Sequence, residues 1–244
     1  MGKSKVLIVG GTGYIGRRIV KASLAQGHTT HVLLRPQIGL DIEKLQMLLS
    51  FKEQGARLVE ASFDDHRSLV DAVKEVDVVI CTMSGVHFRS HNILLQRKLV
   101  DAIKEAGNIK RFLPSEFGMD PARMGHALEP GRVTFDEKME IRKAIEEANI
   151  PYTYISANCF AGYFCPNLSQ LGTLLPPKHK VCIYGDGNAK DMDYAGQVGV
   201  GHFYHIFYEG CLTNFDIGED AEEASQLYPE VQYTRMHEYL KRYL

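Results

Sequence analysis

The sequence runs to 244 residues, 45% of them hydrophobic and 24% charged, which is chain enough for one large core or one core with a small appended lobe. Its 28 basic and 30 acidic residues leave a net charge of −2, which excludes the basic footprint of a nucleic-acid-binding domain. Cys81, Cys159, Cys165, Cys182 and Cys211 contain no Cys-x-x-Cys pair. That odd, scattered set fits reduced thiols in the cytoplasm, and no metal site is expected. No apolar run approaches membrane length, and the first, at residues 6–9, is too short for a signal-peptide core. The Met1-Gly2 start has Val6 where a myristoylation motif needs Ser or Thr.

Short apolar runs alternate with amphipathic stretches from the start. Residues 6–9 read as a strand and residues 15–26 as a helix, in which Ile15, Ile19, Val20 and Leu24 share a face and Gly27 supplies the stop. A strand at 31–34, a helix at 42–54 and a strand at 57–60 follow. Next come a helix at 68–74, a continuous apolar strand at 76–81, a long helix at 93–106 ended by Gly107, and a strand at 111–113. A helix at 134–148 and a sixth strand at 152–156 complete the alternation. The pattern predicts an α/β fold, a Rossmann-type doubly wound parallel sheet that binds ligands at the C-terminal ends of its strands. Beyond residue 156 the pattern becomes irregular, with turn-rich stretches at 174–177 and 185–188 and a helix at 219–227. The expected organisation is a dinucleotide-binding domain over residues 1–157 and a smaller C-terminal substrate lobe over residues 158–244.

The run Gly10-Gly11-Thr12-Gly13-Tyr14-Ile15-Gly16 lies between the first strand and the first helix. Glycines there let backbone N–H groups approach a pyrophosphate, and the helix N-terminus behind them adds partial positive charge. Cofactor choice is read at the end of the second strand, where an acidic residue would accept from the ribose hydroxyl of NAD. Here the strand runs into Arg35-Pro36 instead, and Lys44 is placed to return to the same point. Arg35 offers a planar fork for a 2′-phosphate, so NADPH is the expected cofactor. After the fourth strand, Ser84 and Gly85 lie in a small-residue turn at the edge where the cofactor would run.

Lys138 follows Thr134 by one helical turn. Ordinary short-chain dehydrogenases place Tyr at the position of Thr134, so alcohol–ketone chemistry that relies on a tyrosine acid is disfavoured. By residue type alone, Lys138 is open to two readings, a solvated helix charge or a catalytic base.

The glycine turn, Arg35-Pro36, the run Arg111 to Asp120, Lys138, the run Asn158 to Phe164, Gly185-Asp186-Gly187-Asn188 and Leu227-Tyr228-Pro229-Glu230-Val231 together resemble the pinoresinol–lariciresinol, phenylcoumaran benzylic ether and isoflavone reductases. Ser84-Gly85-Val86-His87, Arg89-Ser90-His91 and Met119-Asp120 resemble the pinoresinol–lariciresinol branch most. The resemblance implies a plant NADPH-dependent reductase, usually a homodimer, acting on a lignan. It further implies Lys138 as general base, Arg142 near the cofactor phosphate, and Asn158 and Phe160 on the nicotinamide side. Met119, Phe160, Tyr163 and His202 would line the substrate site, with His202 on the substrate phenol. One departure stands out. In relatives several dozen residues lie between the points matching Lys190 and Asp191, so the second lobe is incomplete here. Reduction of a phenylcoumaran or an isoflavone remains open, as does a regulatory protein or inactive short isoform that holds NADP without turnover.

Overall fold

The computed structural model describes residues 2–36, 41–85, 92–157, 179, 193–211, 217–219 and 221–241. Strand β1 (Lys5–Val9) pairs in parallel with β2 (Thr29–Leu34) on one edge and with β4 (Val78–Cys81) on the other. Outside these lie β3 (Arg57–Glu60) and β5 (Arg111–Leu113), giving the order β3-β2-β1-β4-β5. The connecting helices are α1 (Gly16–Ala25), α2 (Ile42–Glu53), α3 (His66–Lys74) and α4 (Gln96–Ala106), and α5 (Val133–Glu147) follows β5.

The period of two explains why β1 is apolar throughout. Val6 and Ile8 pack with Val20, Val32, Leu48 and Phe51 on one face of the sheet, whereas Leu7 and Val9 pack with Leu69, Leu99, Phe112 and Ile141 on the other. Both faces are covered, so no residue from Val6 to Val9 exceeds 5% exposure. Burying each such side chain stabilises by roughly 1.5–3 kcal/mol. Helix ends follow local chemistry. Asp41 caps α2 by accepting from the Lys44 N–H at 3.1 Å, and Asp65 caps α3 by accepting from the Ser68 N–H at 3.3 Å. Gly107, with φ of +66°, ends α4 in the left-handed conformation.

Two expected elements are shorter than the sequence pattern predicts. Residues 152–156 touch β5 only through isolated parallel bridges, Phe112 to Tyr152 and Gly118 to Ser156. The reason lies in β5, which spans only Arg111–Leu113 because Pro114 brings no N–H to extend the ladder. The helix expected at 219–227 forms only at α7 (Ala224–Leu227), after an α6 (Tyr194–Phe203) that begins the described C-terminal segment. Residues 221–227 are all exposed, so no buried face supports a longer helix.

Helix α6 is capped by Asp193, which accepts from the Gly196 N–H at 2.7 Å, and it runs on into a π-helical turn at Tyr204–Tyr208. A last short helix, α8, spans Met236–Leu240. α6 meets the loop before α5 at a glycine pair, where a Cβ on Gly201 would sit 3.4 Å from the Gly131 Cα. Among the described residues from 193 onward, only Val198 and His205 are buried.

His31, in the middle of β2, is 3% exposed, and neither ring nitrogen has a hydrogen-bond partner. Burial, helped by the Arg57 charge, holds its pKa below the ordinary histidine value. The unfolded chain therefore takes up this proton first. The neutral ring's contribution is complete above about pH 6.5 and is lost as pH falls below that value. Urea midpoints measured between pH 7.5 and 5 should fall with pH, by at most about 1.4 kcal/mol per pH unit for this one group. In His31→Leu that part of the slope should disappear; an unchanged slope would assign the acid sensitivity elsewhere.

Candidate active site

The sheet order reverses between β1 and β4, and the crevice at their C-terminal ends is where the chain places its glycine turn. Gly10 takes φ of +81°, and its carbonyl accepts from the Gly13 N–H at 2.9 Å. Gly16, which opens α1, packs so closely that a Cβ would stand 2.1 Å from the Gly10 carbonyl oxygen and 2.7 Å from Thr82 Oγ1. Thr82 is itself fixed to the end of β1, its N–H and its hydroxyl each donating to the Val9 carbonyl at 2.8 Å. The turn and the end of β4 are thus one packed unit. Thr12, Gly13, Tyr14 and Ile15 form the outer rim, where Tyr14 is 43% exposed beneath the Arg18 guanidinium, 4.0 Å from its ring centre. A side-chain-free cradle at the N-terminus of α1 fits a pyrophosphate.

At the neighbouring strand ends, Arg35 is exposed just past β2. Lys44 pairs with Asp41 across the first turn of α2 at 2.6 Å, with both side chains about two-fifths exposed, so this pair adds little stability. Ser84 is exposed and Gly85 half-buried after β4. A Cβ on Gly85 would lie 3.1 Å from Ile93 and 3.7 Å from Thr134 Cγ2, which brings this loop against the start of α5. The loops after β4 and β5 are tied as well. Ser115 donates its hydroxyl to the Met83 carbonyl at 2.5 Å, and its N–H donates to the buried Gln96 side chain at 2.8 Å.

Lys138 projects from α5 into this corner, where its Nζ donates to the Glu116 backbone carbonyl at 2.7 Å. Burial lowers its pKa; Glu116 acts against that shift, Arg142 acts with it, and Asp120 opposes. One turn earlier, Thr134 is 8% exposed and its hydroxyl has no hydrogen-bond partner. Arg142, one turn later, is committed locally. Its Nε and Nη2 donate to the two Glu116 carboxylate oxygens at 2.9 and 3.0 Å, and Nη1 lies 2.9 Å from Asp120.

His202, on α6, places its ring 5.0 Å from Phe135 on α5 in an edge-on contact. Met119 packs beside Met124, Ala127 and Phe135, and the Cys211 thiol donates to its sulfur at 3.2 Å. Asn158, Phe160, Tyr163 and the Lys190–Asp191 join lie outside the described residues. The sequence reading gave no role to Glu116 or to His205. Glu116 stood in the run Arg111 to Asp120, but its pairing with Arg142 crosses 26 residues and leaves no local signal.

A second cluster gathers His126, His205 and Glu209. The Leu128 N–H donates to His205 Nε2 at 2.8 Å, so the ring proton is on Nδ1, which donates to Glu209 at 2.5 Å. A cation on Nδ1 would move that proton to Nε2, against the Leu128 donor. The cluster is a hydrogen-bonded clamp joining the π-helical turn to the loop before α5.

Comparison with known proteins agrees with this architecture. The chain is 64% identical over 312 positions to an isoflavone reductase homolog of Lupinus albus, covering 100% of each. It is 60% identical over 309 positions to a bifunctional pinoresinol-lariciresinol reductase of Linum perenne, covering 98% of each. A solved structure, AtPrR2 with NADP+ and (+)pinoresinol, superposes with a TM-score of 0.92 at 51% identity, covering 100% of both chains. The alignment with the Lupinus albus protein has 312 positions where this chain has 244 residues, so about 68 positions are empty on this side. Residues 2–191 match the NmrA-like family, over a stretch that ends at the join read from the sequence, and the chain belongs to that family.

Proposed function

We propose that this chain is an NADPH-dependent oxidoreductase that opens the benzylic ether of furofuran lignans, reducing pinoresinol to lariciresinol and continuing to secoisolariciresinol. One observation carries the reading. The Lys138 amine is withdrawn from water and held at 2.7 Å on a backbone carbonyl, beside the loops that meet at the glycine turn. The similarity to a pinoresinol-lariciresinol reductase and to a structure holding NADP+ and pinoresinol supports the choice of substrate.

Gly10 to Gly16 would hold the pyrophosphate, Arg35 and Lys44 the 2′-phosphate, and Ser84 and Gly85 the length of the cofactor. Arg142, Asn158 and Phe160 would complete that side. Met119, Phe160, Tyr163 and His202 would line the lignan site, with His202 on the phenol. The bound NADPH supplies a hydride. Lys138 Nζ takes the phenolic proton, and the phenolate electron pair moves through the ring to expel the benzylic ether oxygen, which takes a proton from water. The benzylic carbon of the resulting quinone methide is the hydride acceptor, and Lys138 then returns its proton to the re-formed phenolate. Burial suits Lys138 to this work because it makes the neutral amine accessible nearer physiological pH.

The proposal includes the division into a cofactor domain over residues 1–157 and a substrate lobe over 158–244, a homodimeric state and a cytoplasmic location. Among the described residues, no helix is long and apolar enough to cross a membrane. A second reading, an NADP-holding protein or short isoform without turnover, is favoured by the sparse burial after residue 193 and by the 68 or so empty alignment positions.

Purified protein incubated with NADPH and pinoresinol, followed by absorbance and chromatography, separates these readings. Lariciresinol is the expected product. NADPH binding without consumption on pinoresinol, lariciresinol or a phenylcoumaran would establish the second reading, and turnover of the phenylcoumaran alone would move the substrate assignment. Lys138→Ala is expected to lower kcat by roughly 100- to 10,000-fold with NADPH affinity largely intact; near-normal turnover would remove Lys138 from the mechanism. Arg35→Ala should weaken NADPH binding by about 10- to 100-fold, as loss of a charge-assisted contact does, and leave NADH binding nearly unchanged, as titration by fluorescence would show.

A further inference from the structure

The backbone that receives Lys138 is itself held in an uncommon shape. Glu116 is followed by Phe117 at φ of +36°, a left-handed conformation that a bulky side chain rarely takes and that costs of order 1–3 kcal/mol. Such a conformation persists only where its surroundings over-determine it. Here they do so from three directions. The Glu116 side chain, 4% exposed, forms a two-pronged pair with Arg142, which is 10% exposed. The Arg142 guanidinium reaches onward to Asp120, and it lies over the Tyr154 ring at 4.2 Å from the centre. On the far side, Gly118 makes a parallel bridge with Ser156. Gly118 has no side chain at the point where a Cβ would stand 3.5 Å from Lys138 Nζ.

Lys138 and Arg142 are four residues apart on one face of α5, and they grip the same residue by different atoms. Lys138 holds the Glu116 carbonyl, and Arg142 holds its carboxylate. We infer that Glu116 and Arg142 are positioning residues for the reaction: their buried pair, completed by Asp120, sets the backbone of residues 116–118 so that the Glu116 carbonyl fixes where the Lys138 amine stands. This deepens the proposed role of Lys138 and rests on it. A buried pair of this kind contributes little net stability compared with an apolar replacement, but breaking one partner leaves the other charge stranded. Its use is therefore geometric. A displacement of the amine by about 1 Å is enough to cost of order 100-fold in rate.

The test uses the whole chain. Glu116→Gln keeps the backbone carbonyl and side-chain volume but removes the charge. Arg142→Lys keeps the charge but not the planar fork, and covers the case in which Glu116→Gln does not fold. Both are expected to lower kcat by about 10- to 100-fold with little change in KM for NADPH. The acid limb of the kcat profile should move to lower pH in Glu116→Gln, which loses a carboxylate that favours charged Lys138, and should stay near its place in Arg142→Lys. If both variants lose thermal stability but keep wild-type kcat and limb, the pair is merely structural and the inference falls. If the wild type shows no turnover, the reductase reading fails separately. The amine is then followed by carbon-13 titration of reductively methylated protein, with Lys138→Ala identifying the resonance. A shifted titration in Glu116→Gln together with an altered resonance in Arg142→Lys would support the coupling, and wild-type behaviour in both would overturn it.

Discussion

Because β1 is hydrogen-bonded on both edges and covered on both faces, the chain leaving it at Gly10 has one way out, over the C-terminal edge of the sheet. Everything in the candidate site is placed relative to that exit. The Val9 carbonyl takes two bonds from Thr82, so the end of β4 is locked to the end of β1. Ser115 then carries the same constraint to the end of β5 through Met83 and Gln96. By the time the chain reaches Glu116 its direction is already set by a chain of short polar contacts, each a few residues from a fully buried strand. The site is rigid at its base because the sheet is.

The first half of this architecture was legible in the amino-acid pattern. Continuous apolar runs gave β1 and β4, the glycines marked the turn and the stop at Gly107, and the acidic residues at 41 and 65 stood where caps belong. What was not legible depended on partners distant in sequence. Residues 152–156 have the composition of a strand, yet the strand beside them is cut short by a proline. Glu219 to Leu227 has the composition of a helix, yet no surface is offered for it to cover. Lys138 was found by resemblance to a family, since a lysine on a helix carries no pattern of its own. The residues that hold it could not be found that way, because the Glu116–Arg142 pair is a fact of tertiary packing.

Arg142 illustrates how a charge can be read correctly in place and differently in effect. A guanidinium one turn from a lysine should disfavour the lysine's charged form, and it does. Glu116 and Asp120 oppose it, however, so burial is left as the main cause of the lowered Lys138 pKa. The network then serves geometry more than electrostatics. A protein that needs an amine in one place can use charges that largely cancel one another, since these hold position without flooding the site with field.

The uneven distribution of burial along the chain has a consequence for how the molecule comes apart. The residues up to about 150 carry both large apolar clusters, whereas the segment from 193 is fastened chiefly by the Gly131–Gly201 contact, the His205–Leu128 bond and the rings of Phe135 and His202. Native molecules will therefore breathe in two tiers. Amide protons of the C-terminal helices exchange through small openings that leave the sheet closed, and those of β1 and β4 exchange only when the whole sheet opens.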